Sequence, residues 1–426
     1  MHTILVNEDS FTRKAASKVI AQMMSLTILL LIGTVLCASV YAGPREQAKR
    51  IHDRIAGVPP TDSTLDAMAL MIENGSGTEA ENAVEAALLA TEHPDFYRTT
   101  LKNFAAPWTN RDQSIFVPLN DYTATIIGIV RDDVDFREVL SGDILYTDDG
   151  NSGVTPYSRT SNQHYEQLEQ NGVDLGARLQ RQQQSSLLNI PVEATAGVMT
   201  TRAAAKEFFI AGTNRAMFRF TLVNHLCRDL ESVADTTRSP DRIRQDVTRS
   251  PGGDSRVFRN NCVGCHSGMD PLAQAFAYYD YTYDRDADPD GAFGQLIYNT
   301  NGTTDAVTGT RVVSKYHNNA SNFPFGYVTQ SDQWNNYWRA GRNQTVGWSP
   351  GLPGAGNGAK TMGEELANSN AFASCQVTKV FRNVCLRDPV DAADRNEIQA
   401  QTLAFTSNDY NLKRTFAAVA SYCRGE

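Results

Sequence analysis

The 426-residue chain lacks most of the short motifs that announce a reaction. It has no G-x-G-x-x-G and no P-loop, so neither a dinucleotide nor a nucleoside triphosphate finds its usual phosphate cradle. No G-x-S-x-G elbow is present, and the scattered serines and histidines form no readable triad. Positive charge is short: 39 Lys and Arg stand against 48 Asp and Glu, a formal net charge of −9. A phosphate backbone wants a basic patch, so nucleic acid is not expected as a partner. There is no internal repeat and no low-complexity tract to argue for long disorder. With 41% hydrophobic and 20% charged residues, the composition is that of an ordinary globular protein with a sizeable core.

What is present begins with an export signal. Arg13, Lys14 and Lys18 form a basic region, and Ser25 to Val40 is apolar without a charge. "VYAG" then offers small residues for cleavage after Ala42. The apolar run is shorter than the roughly 20 residues that span a bilayer; an uncleaved anchor is the alternative. Residues 1–42 therefore read as a signal peptide, and the periplasm as the destination. Cys37 follows Leu36 rather than a small residue, which argues against lipid attachment there.

The seven cysteines fit an oxidising compartment. Cys37 lies in the leader, and Cys262 and Cys265 form a close pair. Cys227, Cys375, Cys385 and Cys423 remain, enough for two disulfides in three connectivities. If Cys375 and Cys385 share one helix they lie about 15 Å apart along it, too far to bridge. Each is then expected to pair with a more distant cysteine, four buried free thiols being the alternative.

Apolar spacing predicts a mainly α-helical fold. Residues 43–150 read as an N-terminal helical domain, with helices over Arg45 to Ile55, Thr64 to Ile72 and Glu79 to Ala90. Asp62 or Ser63 is the expected cap of the second. "DDVDFREVLSGDILY" reads as a short helix ended by Gly142. Residues 151–253 read as a central helical region, with two helices over Ser161 to Leu188, another over Asn214 to Leu230, and a connector from Ser239. Residues 254–361 hold the paired cysteines and an irregular or short-strand insertion around 284–330. "SPGLPGAGNGAK" reads as a mobile loop. From 362 to 426 the chain is helical again: Met362 to Val384, Asp391 to Phe405, and Asn411 to Cys423, the last capped by Asn408 or Asp409.

The chemistry sits in "NNCVGCHSGMDPLAQAFAYYD", Asn260 to Asp280. C-x-x-C-H is the attachment motif of a c-type haem. Residues three apart share a helix face, so Cys262 and Cys265 can each form a thioether to one porphyrin. His266 follows as the proximal iron ligand. Zinc would need two more ligands at paired spacing, and neither a second C-x-x-C nor an H-x-x-x-H exists. A thioredoxin-like βαβ context is also missing; a plain disulfide between Cys262 and Cys265 is the main alternative to a haem. Asp270-Pro271 is expected to start a new helix, Asp as cap and Pro in its first turn. Leu272, Ala275, Phe276 and Tyr279 would give that helix an apolar face suited to walling a haem edge. Met269 is too near His266 in sequence to reach the opposite side of the iron. His317 and Met362 are the candidate distal ligands.

Two weaker signals remain. "DADPDG", Asp286 to Gly291, resembles the first half of a calcium loop, but position twelve is Ile297 rather than a bidentate glutamate, so calcium is not expected. "WNNYWRAGRNQTVGW" carries three tryptophans; Arg339 or Arg342 is placed to pair a haem propionate, with an aromatic core as the plainer reading.

On these residues the chain resembles the planctomycete-type cytochrome family, whose members carry several domains of unknown function around one C-x-x-C-H. The family pattern continues hydrophobic-D-P-L-G-x-x-L-E-x-F-D. Met269, Asp270, Pro271, Leu272 and Asp280 match it, while Ala273, Phe276, Ala277 and Tyr279 depart from it. "DRIAGVPPTDSTLDAM", "DFREVLSGDILY", "GTNRAMFRFTLVNHLC", "AFASCQVTKVFRNVCLRD" and "NDYNLKRTFAAVASY" are similar to family elements in the same order. The resemblance implies an exported, mostly helical, cytochrome-like protein with one covalent haem c. The expected function is periplasmic electron transfer with a redox partner protein. A haem-dependent oxidoreductase with an open distal site, acting on peroxide or oxygen, is the alternative. A cell-envelope scaffold with a structural haem is the second alternative.

Overall fold

Local signals set where the first helices begin and end. The computed structural model describes residues 42–210, 214–244, 255–317 and 326–425. The leader up to residue 41, with Cys37, lies outside these, as does most of the Ser239 connector. Residues 44–424 form one unit; residues 1–43 with 425–426 form another, of which only 42, 43 and 425 are described.

Among helices of eight residues or more, α1 spans Pro44–Ala56, α2 Asp62–Asn74 and α3 Glu79–Ala90. Thr61, not Asp62 or Ser63, caps α2; its hydroxyl accepts the Thr64 N–H at 3.2 Å. Asp62 then sits in the first turn, where the helix dipole favours negative charge. Thr78 and Glu81 close a capping box on α3. Helix α4 (Asp121–Arg131) is buried over all but its last residue, and its buried Asp121 accepts the N–H groups of Arg202 and Ala203. Helices α5 (Gln163–Gln170), α6 (Arg202–Phe209), α7 (Asn214–Thr221) and α8 (Val263–Ala273) follow.

Among the described residues the strands form three antiparallel ladders of two each. Strand β1 (Leu145–Asp148) pairs with β2 (Leu179–Gln182), β3 (Tyr279–Thr282) with β4 (Gln295–Tyr298), and β5 (Gln333–Asn335) with β6 (Ala355–Asn357). In "DDVDFREVLSGDILY" only Glu138–Ser141 is α-helical; Gly142 ends it, and the apolar residues beyond enter β1.

The C-terminal part holds α9 (Gly358–Ala367), α10 (Asn370–Cys385), α11 (Ala392–Ser407) and α12 (Leu412–Tyr422). The stretch expected as one helix from Met362 is two, because Ser369 interrupts it and caps α10 through the Phe372 N–H. The stretch expected as a loop before it supplies β6 and the start of α9. Asn411 caps α12, accepting the Arg414 N–H at 2.9 Å. Asp409 cannot, since its φ of +50° is left-handed while an N-cap is extended.

One buried cluster takes side chains from Ala48 to Ala420 and so from all four segments delimited in the sequence. Helix α12 packs on α1 and α3, and Phe416 meets Phe96 and Phe104 with ring centroids 5.4 and 5.2 Å apart. Two disulfides staple this body. Cys227 bonds Cys375 across 148 residues, and Cys385 bonds Cys423 across 38. Cys375 and Cys385 do share a helix, and each reaches a distant partner. Among the described residues no helix is long and apolar enough to cross a membrane.

Candidate functional site

A π-helical turn, Phe258–Cys262, runs directly into α8. Cys262 is the N-cap of α8, and Cys265 and His266 lie in its first turn. Spacings of three and four place Cys262, Cys265, His266 and Asp270 on one side of the helix. The expected new helix at Asp270 does not form; α8 continues to Ala273 with Pro271 inside its last turn. Asp270 is no cap because its carboxylate is drawn into other bonds. Oδ1 faces His266 Nδ1 at 3.0 Å and accepts Arg215 Nε at 2.8 Å. Oδ2 accepts the backbone N–H of Arg244 at 3.3 Å.

Asp270 is 0% exposed. Burial alone would raise its pKa, but Arg215, His266 and Arg244 outweigh that and hold it well below the usual carboxylate range. An ionised carboxylate can only accept, so a hydrogen bond here takes its proton from Nδ1. Nε2 is left as the imidazole nitrogen open to a further ligand. The His266 side chain is 19% exposed, and the Phe258 ring lies 5.4 Å from it.

Cys262 and Cys265 are both unpaired and half-buried, while the other four described cysteines are bonded. Cys262 packs beside Phe258 and Ile243. Cys265 Sγ approaches the Leu230 carbonyl at 3.4 Å. Burial, with Glu231 next in effect, pushes its thiol pKa up. The helix is pinned from behind. A Cβ on Gly268 would lie 1.9 Å from the Trp338 indole nitrogen, so only glycine lets that ring pack there. Ser267 Oγ donates to the Asp235 carbonyl at 3.0 Å, and Asp235 N–H donates to the Gly264 carbonyl at 2.9 Å.

Several sequence candidates sit elsewhere. Leu272, Ala275, Phe276 and Tyr279 are fully buried, but against protein: Phe276 packs on Phe209, and Tyr279 opens β3 with its hydroxyl donating to the Ala194 carbonyl. Met269 and Met362 are both in the main core. His317 ends a 3-10 turn, Ser314–His317, and its side chain lies outside what is described. Arg339 is held by both oxygens of buried Glu365, at 2.7 Å each, which takes up the charge a propionate would need. Arg342 is exposed and donates to the Ala234 carbonyl. In the acidic loop Asp288 accepts the N–H groups of Ala292 and Phe293, and Ile297 is a β4 residue opposite Asp280.

The donor chemistry was legible in part. C-x-x-C-H named the sulfurs and the imidazole. Asp270, Arg215 and Arg244 were missed as partners, although a carboxylate four residues after a helical histidine is within reach of its ring. The set suits a covalently tethered porphyrin: two unpaired thiols one helical turn apart, and an adjacent imidazole oriented through Nδ1 with Nε2 open. It suits zinc less, because among the described residues no three His, Cys, Asp or Glu side chains converge as an ion site requires. No protein-family model matches the chain, and no curated protein or solved structure matches it.

Proposed function

We propose that the chain is an exported, single-haem c-type cytochrome of the planctomycete type that transfers electrons in the periplasm to a redox partner protein. One observation carries this reading. In a chain whose other described cysteines pair, Cys262 and Cys265 stay free beside an imidazole whose Nδ1 is held by an ionised carboxylate. The haem supplies one-electron chemistry at iron when bound. The chain's own residues do the rest. Cys262 and Cys265 tether the porphyrin, His266 offers Nε2 to the metal, and Asp270 fixes the ring's tautomer and direction. His317 and Met362 stay the candidates for a second ligand to the metal; Met362 is buried in the main core.

Co-expression with a cytochrome c maturation system, followed by haem staining on a denaturing gel, tests the proposal. The wild type is expected to stain, and Cys262→Ala with Cys265→Ala to abolish the band. An unstained wild type ends the reading. Rapid carbon monoxide binding by the reduced protein would move it to the oxidoreductase alternative.

A further inference from the structure

The bonds around Asp270 set two groups in competition for one oxygen. Oδ1 receives Arg215 Nε at 2.8 Å and His266 Nδ1 at 3.0 Å, while the Arg244 N–H holds Oδ2 and so fixes the carboxylate plane. The arrangement is rigid. His266 and Asp270 lie one helical turn apart on α8. Asn214, the residue before Arg215, donates from its side chain to the Ala273 carbonyl at 2.6 Å, locking α7 to the end of α8. Asn214 also accepts from Arg244 Nη1 at 2.7 Å. The carboxylate is wholly enclosed, so its charge acts through a medium of low polarisability rather than through water.

We infer that Asp270 and Arg215 form an opposed pair that sets the reduction potential of the metal through His266, Asp270 lowering it and Arg215 raising it. This rests on the haem reading above. A carboxylate accepting from Nδ1 makes the imidazole ring more electron-rich and Nε2 a stronger donor. A stronger donor, with a buried negative charge nearby, favours the more positively charged state of the metal and lowers the potential. Arg215 draws on the same oxygen, weakens its hold on Nδ1–H and offsets its charge. Asp270 is thus a positioning and tuning residue that acts through His266. A carboxylate that merely tied α7 to α8 would affect stability and leave the potential unchanged.

The test compares midpoint potentials of the matured holoprotein with Asp270→Asn and Arg215→Gln. Asp270→Asn is expected to shift the one-electron equilibrium at least tenfold toward the reduced state, 59 mV upward. Arg215→Gln is expected to shift it at least threefold the opposite way. Should Asp270→Asn fail to fold, the sign of the Arg215→Gln shift decides alone, and an upward or absent shift overturns the inference. Stained, folded variants whose potentials both stay within twofold of wild type overturn it as well, leaving the haem reading intact. An unstained wild type overturns both, so the two failures are distinct.

Discussion

His225 and His266 each sit within two residues of a cysteine, and each ring makes one hydrogen bond to a side chain, yet they occupy opposite kinds of place. His225 Nε2 meets the Tyr122 hydroxyl at 2.8 Å, and the Trp108 ring lies edge-on at 5.3 Å. The residue is 1% exposed, and burial, with the charge of Lys379 second, keeps its pKa well below 6.5. Its neighbour Cys227 is bonded to Cys375, and Gln376 donates to the His225 carbonyl at 3.0 Å. His266 instead meets a carboxylate, keeps part of its ring exposed, and has free sulfurs beside it. A histidine near a cysteine is therefore no site by itself. A neutral phenol and a closed disulfide make a packing element. A buried anion and open thiols make a candidate ligand set.

The comparison breaks most visibly at sulfur. Cys262→Ala with Cys265→Ala is expected to remove covalent haem and leave the disulfide-stapled body folded. Cys227→Ser with Cys375→Ser should do the reverse: the stain persists, and the unfolding free energy falls by about 5 kcal/mol, the chain-entropy value for so long a loop. Denaturant melts and haem stains on both pairs check this; matching outcomes for the two pairs would erase the distinction. Next in size is Gly268→Ala. Alanine ordinarily favours a helix over glycine by about 1 kcal/mol. Here the new methyl meets Trp338, and a loss of about 3 kcal/mol is expected from overpacking. A thermal melt showing stabilisation would mean that Trp338 does not pack on α8.

The smallest effect is in pH. Because the folded pKa of His225 lies below its unfolded value of 6.5, the unfolded chain takes the proton first. Stability from this group is full above about pH 6.5 and falls as the pH drops, by at most about 1.4 kcal/mol per unit. His52, also lowered chiefly by burial, adds to the same window. Asp270 is depressed, so its contribution is full above the ordinary carboxylate range and is lost only as the pH falls below about 4. Urea melts of His225→Phe between about pH 6.5 and 5 are expected to show a shallower slope than wild type. An unaltered slope there would assign the acid sensitivity elsewhere.

Much of the helical frame was written in short-range signals. Glu79–Ala90 begins and ends where its propensity and flanks say, and α1, α11 and α12 agree with their apolar spacing to within two residues. The errors have physical causes. Asp62 and Asp409 resemble caps in composition, but Thr61 and Asn411 have the backbone to cap. β2 is itself a polar run, "LQRQ", whose strand character comes from pairing with β1 and not from its own alternation. At the site, local spacing named Cys262, Cys265 and His266. It was silent on Arg215 and Arg244, which reach Asp270 from 55 and 26 residues away. Asp270-Pro271 carried the signature of a helix start, and long-range bonds to the carboxylate overrode it.

Helix α12, the last in the chain, lies against α1 and α3, the first and third. A nascent polypeptide therefore has no way to close this bundle until residues 412–422 have been made. During that interval the central C-x-x-C-H stretch belongs to an open chain, within reach of any enzyme that modifies it. Removing α12 would leave the N-terminal helices without their cover however complete the middle of the protein.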